Sequence, residues 1–298
     1  MDARDFARPE KVQELLAKQL LAGRLSVFLG AGISIPMGLP DWRELLRRAF
    51  HKAGSSLGRR RNYQKAADEL LNGPCKGNKK DFRKLISEAL YKGRKGFSFD
   101  YATLRANSTL SALAALVMSS KRGRVSEVFT FNFDDLLERY LDYHGFVVEP
   151  VCLSDERFWA SSADVAVYHA HGILPSPQSR FKSDCSELIL GARSYAEVSG
   201  RMEMRSNQRM LVAMQSTVVL FIGLSGDDSR LQNLMAITNK QHARGRLEYW
   251  GVALQKSPED DEVKKWNGYG VFVQELSDYE DDMLHFLLGI CQQAAKIA

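Results

Sequence analysis

The sequence has 298 residues, enough for one large domain or two of ordinary size. Apolar residues make up 45% of it and charged residues 26%, which excludes intrinsically disordered, collagen-like and disulfide-scaffold proteins. The net charge is +5, but residues 51–121 carry a net charge of +10 and the rest of the chain about −5. A basic segment is therefore expected on an acidic body.

Targeting signals and a cysteine-based zinc site are not expected. The longest apolar run, residues 217–224, is shorter than the roughly 20 residues of a membrane-spanning helix. The charged N-terminus lacks the pattern of a secretory signal, so we predict a cytoplasmic protein with no membrane contact. The cysteines are scattered without a C-x-x-C pair, which predicts reduced thiols rather than zinc ligands. They are Cys75, Cys152, Cys185 and Cys291.

The first part of the chain combines helix, strand and a helical insertion. Apolar spacing predicts a helix over residues 9–23, and the short apolar run 25–29 is typical of a buried strand. Another helix is predicted over residues 42–52, with Asp41 as its N-cap. Three further helical patterns follow, around Tyr63, around Phe82 and over residues 104–118. The predicted domains are 1–52 together with 123–298, and an all-helical basic insertion, 53–122.

The second half alternates between strand and helix patterns. This alternation predicts an α/β fold, with a mostly parallel sheet and helices on both faces. Such sheets bind ligands at the carboxyl ends of the strands, where the strand order reverses. The predicted strands are 125–131, 146–153, 165–169, 217–222, 247–254 and 270–275, and the predicted helices are 134–143, 229–241 and 278–297.

A glycine-rich turn follows the first predicted strand. Gly30, Ala31, Gly32 and Ser34 belong to the run GAGIS, whose small residues allow backbone N–H groups to approach a phosphate closely. The run is not the G-x-G-x-x-G fingerprint, because Ile35 stands where that pattern has glycine. Tight turns between a strand and a helix also need such glycines. From the residues alone, nucleotide binding and a purely structural turn both remain open.

Polar residues also follow the later strands. Asn132 can donate and accept, which suits a sugar hydroxyl or a positioned water, while Asp134 suits either a ligand or a helix cap. His169 and His171 have the spacing of residues on one face of a strand, but too few partners for a metal site are apparent. His171 is a candidate general base, with a buried structural histidine as the alternative.

The turn after the predicted strand 217–222 has a similar composition. It contains Gly223, Ser225 and Asp228 in the run GLSGDD. Ser225 and the local backbone N–H groups suit a phosphate. Asp228 suits a ribose hydroxyl, or it caps the helix that follows.

The order and content of these turns resemble the sirtuin family. The run GAGISIPMGLPDWR is similar to the sirtuin opening, TFNFD resembles the sirtuin TQNID motif, and His171 with Gly172 matches the catalytic His-Gly pair. The similarity spans residues 30–231 and implies a Rossmann-like domain that binds NAD as its substrate. The NAD-binding residues that it implies are Gly30, Ala31, Gly32, Ser34, Asp41, Trp42, Arg43, Asp134, Gly223, Ser225 and Asp228.

One departure from the sirtuin pattern bears on function. Sirtuin deacylases carry a four-cysteine zinc module after the His-Gly motif, whereas residues 173–190 here contain only Cys185. The layout is similar to bacterial sirtuin-like proteins of anti-phage defence, which hydrolyse NAD. The resemblance therefore implies an NAD glycohydrolase without zinc. Asn132 is expected to position the ribose and the attacking water, and His171 to act as general base.

Other functions and partners follow from the same resemblance. The alternatives are a protein deacylase or ADP-ribosyltransferase, and a non-catalytic NAD or ADP-ribose-binding scaffold for a partner ATPase. Similar single-domain proteins imply a homo-oligomer and a HerA-like ATPase or an Argonaute as partner. The basic insertion is interpreted either as a solvated surface or as a docking face for nucleic acid or an acidic protein.

Overall fold

The computed structural model describes residues 6, 8–59, 62–91, 99–118, 123–152, 163–177, 179–181, 188–202, 204–242 and 248–298. Its centre is a seven-stranded sheet in which every pair of neighbouring strands is parallel. The predicted α/β class is confirmed. The strands are β1 Leu25–Leu29, β2 Val125–Thr130, β3 Val148–Cys152, β4 Val165–His169, β5 Val218–Ile222, β6 Gly251–Lys256 and β7 Val271–Leu276.

Helices cover both faces of the sheet and one of its edges. They are α1 Pro9–Leu21, α2 Trp42–Lys52, α3 Tyr63–Asn72, α4 Lys79–Leu90, α5 Tyr101–Arg105, α6 Ser108–Val117, α7 Leu136–Tyr143, α8 Ala192–Ser199, α9 Arg205–Ser216, α10 Ser229–His242, α11 Asp260–Gly268 and α12 Asp281–Ile297. Two short 3-10 helices, Ala31–Ile33 and Ile35–Met37, follow β1.

The strand order places a crevice between β1 and β5. The sheet runs β3-β4-β2-β1-β5-β6-β7, so the chain moves to one side after β1 and to the other side after β5. Parallel sheets bind ligands outside the carboxyl ends of the strands at such a reversal. The register aligns Leu29 with both Thr130 and Ile222, and Thr130 with His169. The turns that follow these residues therefore lie side by side.

Three apolar clusters hold the layers together. One face of the sheet packs against α1, α6, α7 and α12, and the other face against α9, α10 and α11. A third cluster joins α2, α3 and α4 to Leu174, Leu188 and Leu190, which follow β4 in the chain. Helices α2 to α4 therefore lie beside the carboxyl edge of the sheet, where the candidate site is found.

Several predicted elements need correction. The predicted helix 104–118 is two helices, α5 and α6, because the Asn107 side chain accepts a hydrogen bond from the Leu110 N–H and so begins a new helix. Helix α6 packs in the core of the sheet, whereas α3 and α4 pack with α2. The predicted strand 247–254 begins later, at Gly251, and residue 247 lies outside the described residues. Helices α8, α9 and α11 were not predicted.

The cysteines differ in state. Cys75 and Cys291 are buried thiols that form no disulfide, as expected. Cys152 is disulfide-bonded, so the expectation of a reduced thiol is wrong at this position. Cys185 lies outside the described residues. In the described part of the chain, no helix has both the length and the apolar character needed to cross a membrane.

Candidate functional site

The turns after β1 and β5 pack directly on each other. The Gly30 N–H donates to the Ile222 carbonyl (2.9 Å) and the Gly32 N–H to the Gly223 carbonyl (3.1 Å). A Cβ atom at position 32 would lie 2.6 Å from the Gly223 Cα, a distance that such atoms do not tolerate. Close approach of the two backbone segments therefore explains the glycine at position 32. The same contact engages the Gly30 and Gly32 N–H groups, which had been considered as donors to a phosphate.

Asn132 is held at the end of β2 by its amide nitrogen. It is buried, and its Nδ2 donates to the Gly30 carbonyl (3.0 Å) and to Ser34 Oγ (3.1 Å). Because these two acceptors use both amide protons, the atom of Asn132 left for a ligand is Oδ1, a hydrogen-bond acceptor. Ser34 in turn donates to Asp134 Oδ2 (2.8 Å). Ser34 thus links the Asn132 amide to a buried carboxylate.

Asp134 lies behind Asn132 and is engaged within the protein. Its Oδ1 accepts a hydrogen bond from the Leu136 N–H (3.3 Å), while Oδ2 accepts the one from Ser34. Burial raises the pKa of this carboxyl from its ordinary 3.8 to about 6, with Glu138 and Asp135 adding to the rise and the two hydrogen bonds opposing it. Its contacts make Asp134 a support for Asn132.

His169 fixes the main chain at Asn132. Its Nδ1 meets the Asn132 carbonyl (3.2 Å) and its Nε2 meets Glu138 Oε1 (2.5 Å). Because both partners accept hydrogen bonds, the arrangement favours a doubly protonated ring. Burial acts to lower the pKa of His169, but the Glu138 charge and the hydrogen bonds to Glu138 and Asn132 outweigh it and raise that pKa above 6.5. His169 is therefore a buried structural histidine.

His171 lies at the end of β4 with one ring nitrogen held and the other unpaired. Its Nε2 is 2.9 Å from Asp228 Oδ2 and 3.1 Å from the Tyr195 hydroxyl. Its Nδ1 is buried and has no hydrogen-bond partner among the residues that the structure describes. The ring packs against Phe131 at 5.0 Å and Phe133 at 6.5 Å, the two residues that flank Asn132 in the chain. The predicted amide and imidazole thus follow adjacent strands of the sheet.

Asp228 both caps a helix and contacts His171. Its Oδ1 accepts from the Leu231 N–H (2.8 Å) and caps α10, while its Oδ2 faces His171 and accepts from the Tyr195 hydroxyl (2.7 Å). Burial acts to raise the pKa of Asp228, but the attraction of His171 and these hydrogen bonds prevail and lower it to about 2. Asp228 is therefore an ionised partner of His171.

Two aromatic side chains and one arginine complete the surroundings of His171. Tyr195 of α8 stacks on Trp42 with ring centres 5.8 Å apart. The buried Arg230 donates to the Ala170 carbonyl (2.6 Å) and so fixes the chain between the two histidines. Neither Tyr195 nor Arg230 had been predicted as a site residue. Tyr195 carries no local motif, whereas Arg230 stands two positions after the run GLSGDD.

Other predicted site residues lie at the same edge with different contacts. Asp41 is exposed and caps α2 by accepting from the Glu44 N–H (2.7 Å), as predicted. Arg43 and Ser225 are also exposed, and Ala31 is half-buried in the 3-10 helix after β1. The exposed surface around the crevice therefore carries an acidic side chain (Asp41), a basic one (Arg43) and the hydroxyl of Ser225.

Metal ligands do not gather in the described structure. Among the residues described, no group of three or more histidine, cysteine, aspartate or glutamate side chains could hold a metal ion. His169 and His171 have separate partners, Glu138 and Asp228. The two histidines therefore do not share a ligand position, and the expected independence from zinc remains a prediction.

A match to a known domain family covers the same region. Residues 126–273 match the SIR2-like domain family, and they include the turns that hold Asn132, His171 and Asp228. The chain contains a SIR2-like domain, and its resemblance to the sirtuin-like proteins is confirmed.

One curated relative is similar over most of this chain. The NAD(+) hydrolase ThsA of Bacillus cereus (strain MSX-D12) is 22% identical over 262 residues. The similarity covers 87% of this chain and 49% of ThsA. The chain therefore spans about half the length of this relative.

Proposed function

We propose that the protein is an NAD(+) glycohydrolase, which cleaves the bond between nicotinamide and ribose and releases nicotinamide and ADP-ribose. The observation that supports this most strongly is the pairing of Asn132 and His171 at adjacent strand ends, beside the reversal in strand order. The similarity to the NAD(+) hydrolase ThsA supports the same reaction.

The free polar atoms of the site suit the ribose of NAD. Asn132 Oδ1 is an acceptor for a ribose hydroxyl or for the attacking water, because Nδ2 is already engaged. The unpaired nitrogen of His171 is a base for the proton that the water loses as it adds to the ribose. The bond to nicotinamide breaks as the bond from ribose to the water oxygen forms.

The remaining contacts with NAD follow from the resemblance. Gly30, Ala31, Gly32, Gly223 and Ser225 would lie along its diphosphate and adenosine. Asp41, Trp42 and Arg43 would close over the nicotinamide, with Trp42 already stacked beside His171 on Tyr195. Ser34, Asp134 and Asp228 would act on NAD through Asn132 and His171, because their side chains contact those two residues or their supports.

Nicotinamide release from NAD tests the proposal. Purified protein is incubated with NAD, with and without DNA, and nicotinamide is quantified by chromatography. His171→Ala is expected to slow release by about 10²–10⁴-fold, the usual cost of losing a general base. His51→Ala, which removes an exposed histidine from α2, serves as the matched control. Wild-type protein that releases no nicotinamide under either condition would contradict the proposal.

The same assay separates hydrolysis from the transfer reactions. A deacylase or an ADP-ribosyltransferase needs a protein or peptide acceptor to consume NAD at its full rate. We expect release that does not change when an acetyl-lysine peptide is added. A strict requirement for the peptide would favour the deacylase alternative.

The biological setting that we propose is anti-phage defence by depletion of NAD in the cytoplasm. In that setting we also propose a homo-oligomer, controlled by a HerA-like ATPase or an Argonaute. The basic segment supports a nucleic acid contact, since Lys76 lies exposed just before α4 and Lys80 lies exposed in the first turn of that helix. Light scattering tests the oligomer, and binding to DNA that weakens steeply with salt tests the contact.

A further inference from the structure

We infer that Tyr195 and Asp228 are positioning residues that keep the proton of neutral His171 on Nε2, so that Nδ1 is the nitrogen that accepts a proton. The inference rests on the proposed function only for the consequence in catalysis. The position of the proton is a property of the protein itself.

The contacts of Nε2 identify it as the protonated nitrogen. Its nearest partner is Asp228 Oδ2 at 2.9 Å. Burial acts to raise the pKa of Asp228, but the attraction of His171 and the hydrogen bonds from the Leu231 N–H and the Tyr195 hydroxyl lower it to about 2, and those two hydrogen bonds also hold the carboxylate when His171 is neutral. An ionised carboxylate only accepts hydrogen bonds, so the ring nitrogen that faces it must donate. Nδ1 then carries the lone pair, and this buried nitrogen has no partner within the described parts of the chain.

Tyr195 strengthens this arrangement from the other side. Its hydroxyl proton is directed at Asp228 Oδ2 (2.7 Å), which leaves the hydroxyl oxygen facing His171 Nε2 at 3.1 Å. A neutral imidazole with its proton on Nδ1 would place two lone pairs, on Nε2 and on the hydroxyl oxygen, against each other and against the carboxylate. The hydroxyl therefore disfavours the other tautomer and helps to hold the ring.

The surroundings fix these three side chains in place. Trp42 stacks on Tyr195 with an interplanar angle of 15°. Asp228 is anchored through Oδ1 at the start of α10. The ring of His171 is confined by Phe131 and Phe133. A base that is already oriented needs no reorganisation when the reaction begins.

Two substitutions separate positioning from folding. Asp228→Asn keeps a residue that caps helices well, so α10 is retained, but an amide NH₂ in place of Oδ2 would donate to Nε2 and move the ring proton to Nδ1. Tyr195→Phe keeps the ring that stacks on Trp42 and removes only the hydroxyl. The matched controls are Asp227→Asn, at an exposed neighbour, and Tyr63→Phe, on the other ring beside Trp42.

The tautomer is read by nitrogen NMR of histidine-labelled protein at pH 8, with the His171 signals assigned from His171→Gln. We expect the Nε2–H form in the wild type and in both controls, and the Nδ1–H form in Asp228→Asn. We also expect nicotinamide release to fall at least 100-fold in Asp228→Asn and about tenfold in Tyr195→Phe, through kcat rather than KM.

The two readouts distinguish failure of this inference from failure of the proposed function. An Nδ1–H form in the wild type overturns the inference, as does an unchanged tautomer with unchanged kcat in Asp228→Asn. An Nε2–H form that Asp228→Asn converts to Nδ1–H supports it. That support holds even if the protein releases no nicotinamide, a result that would overturn the proposed function alone.

Discussion

Asp134→Asn changes a buried ionisable group beside the site without changing its shape. The wild-type carboxyl is buried, and its pKa is about 6 in the folded protein against 3.8 ordinarily, chiefly because burial disfavours its charged form. A folded-state pKa above the unfolded value means that the fold favours the protonated group. The stability from this group is therefore present below pH 4 and is lost as the pH rises through about 6.

The size of the effect follows from the shift. Each pKa unit corresponds to about 1.4 kcal/mol. Because the unfolded carboxyl is already more than half ionised at pH 4, the rise in pKa from 3.8 to about 6 costs the folded state about 2.5 kcal/mol at pH 7 relative to pH 4. Asparagine has no such titration, and its carbonyl oxygen can still accept from Ser34. Between pH 4 and pH 7, the free energy of unfolding of Asp134→Asn is therefore expected to rise by about 2.5 kcal/mol relative to that of the wild type.

Urea unfolding at pH 4 and pH 7, followed by circular dichroism, measures the four free energies of unfolding. Asp261→Asn is the control, because its side chain is 94% exposed and its loss should leave the pH dependence of the wild type unchanged. If Asp134→Asn follows the same pH dependence as the wild type within about 1 kcal/mol, the carboxyl is not desolvated as the structure indicates.

Three further substitutions test the packing around Asn132. Gly32→Ala should lower the free energy of unfolding by about 1–3 kcal/mol, since a Cβ atom at position 32 would clash with Gly223. Thermal unfolding measures this, with Gly268→Ala as the control, because a Cβ atom at position 268 would meet no neighbouring atom within 4 Å. His169→Gln should lower the free energy of unfolding by about 3–5 kcal/mol, because it leaves the Glu138 charge buried without a partner. In urea unfolding, adding Glu138→Gln should recover part of this loss of stability. No recovery would argue against a buried ion pair. Ser34→Ala should lower the free energy of unfolding by about 1–3 kcal/mol and slow nicotinamide release. Ser55→Ala, at an exposed serine, is the control in both assays. Unchanged stability and rate in Ser34→Ala would mean that Ser34 does not link Asn132 to Asp134.

Local sequence patterns correctly predicted the helices and strands whose ends are determined by their own residues. The strand Leu25–Leu29 and the helix Trp42–Lys52 have the predicted bounds, because a short apolar run and an aspartate cap define them locally. The break before α6 depends on one side chain, Asn107, inside an otherwise continuous helical pattern. Periodicity could not show it.

The residues that contact the site residues could not be predicted from such local patterns. Tyr195 meets Asp228 across 33 positions of the chain, and Ser34 meets Asp134 across 100. These contacts depend on the order of the strands and on the packing of α8, which no motif marks. Sequence reasoning therefore named Asn132, His171 and Asp228 but could not say that a tyrosine and a serine hold them.

The central claim is that Asn132 and His171 act together on one ribose carbon. A double-mutant cycle on kcat for nicotinamide release measures this most directly, with Asn132→Ala, His171→Ala and the double variant all checked for folding by circular dichroism. Residues that act as a unit are strongly non-additive, so the double variant is expected to be about as slow as the slower single variant. A double variant whose loss equals the product of the two single losses would contradict the account.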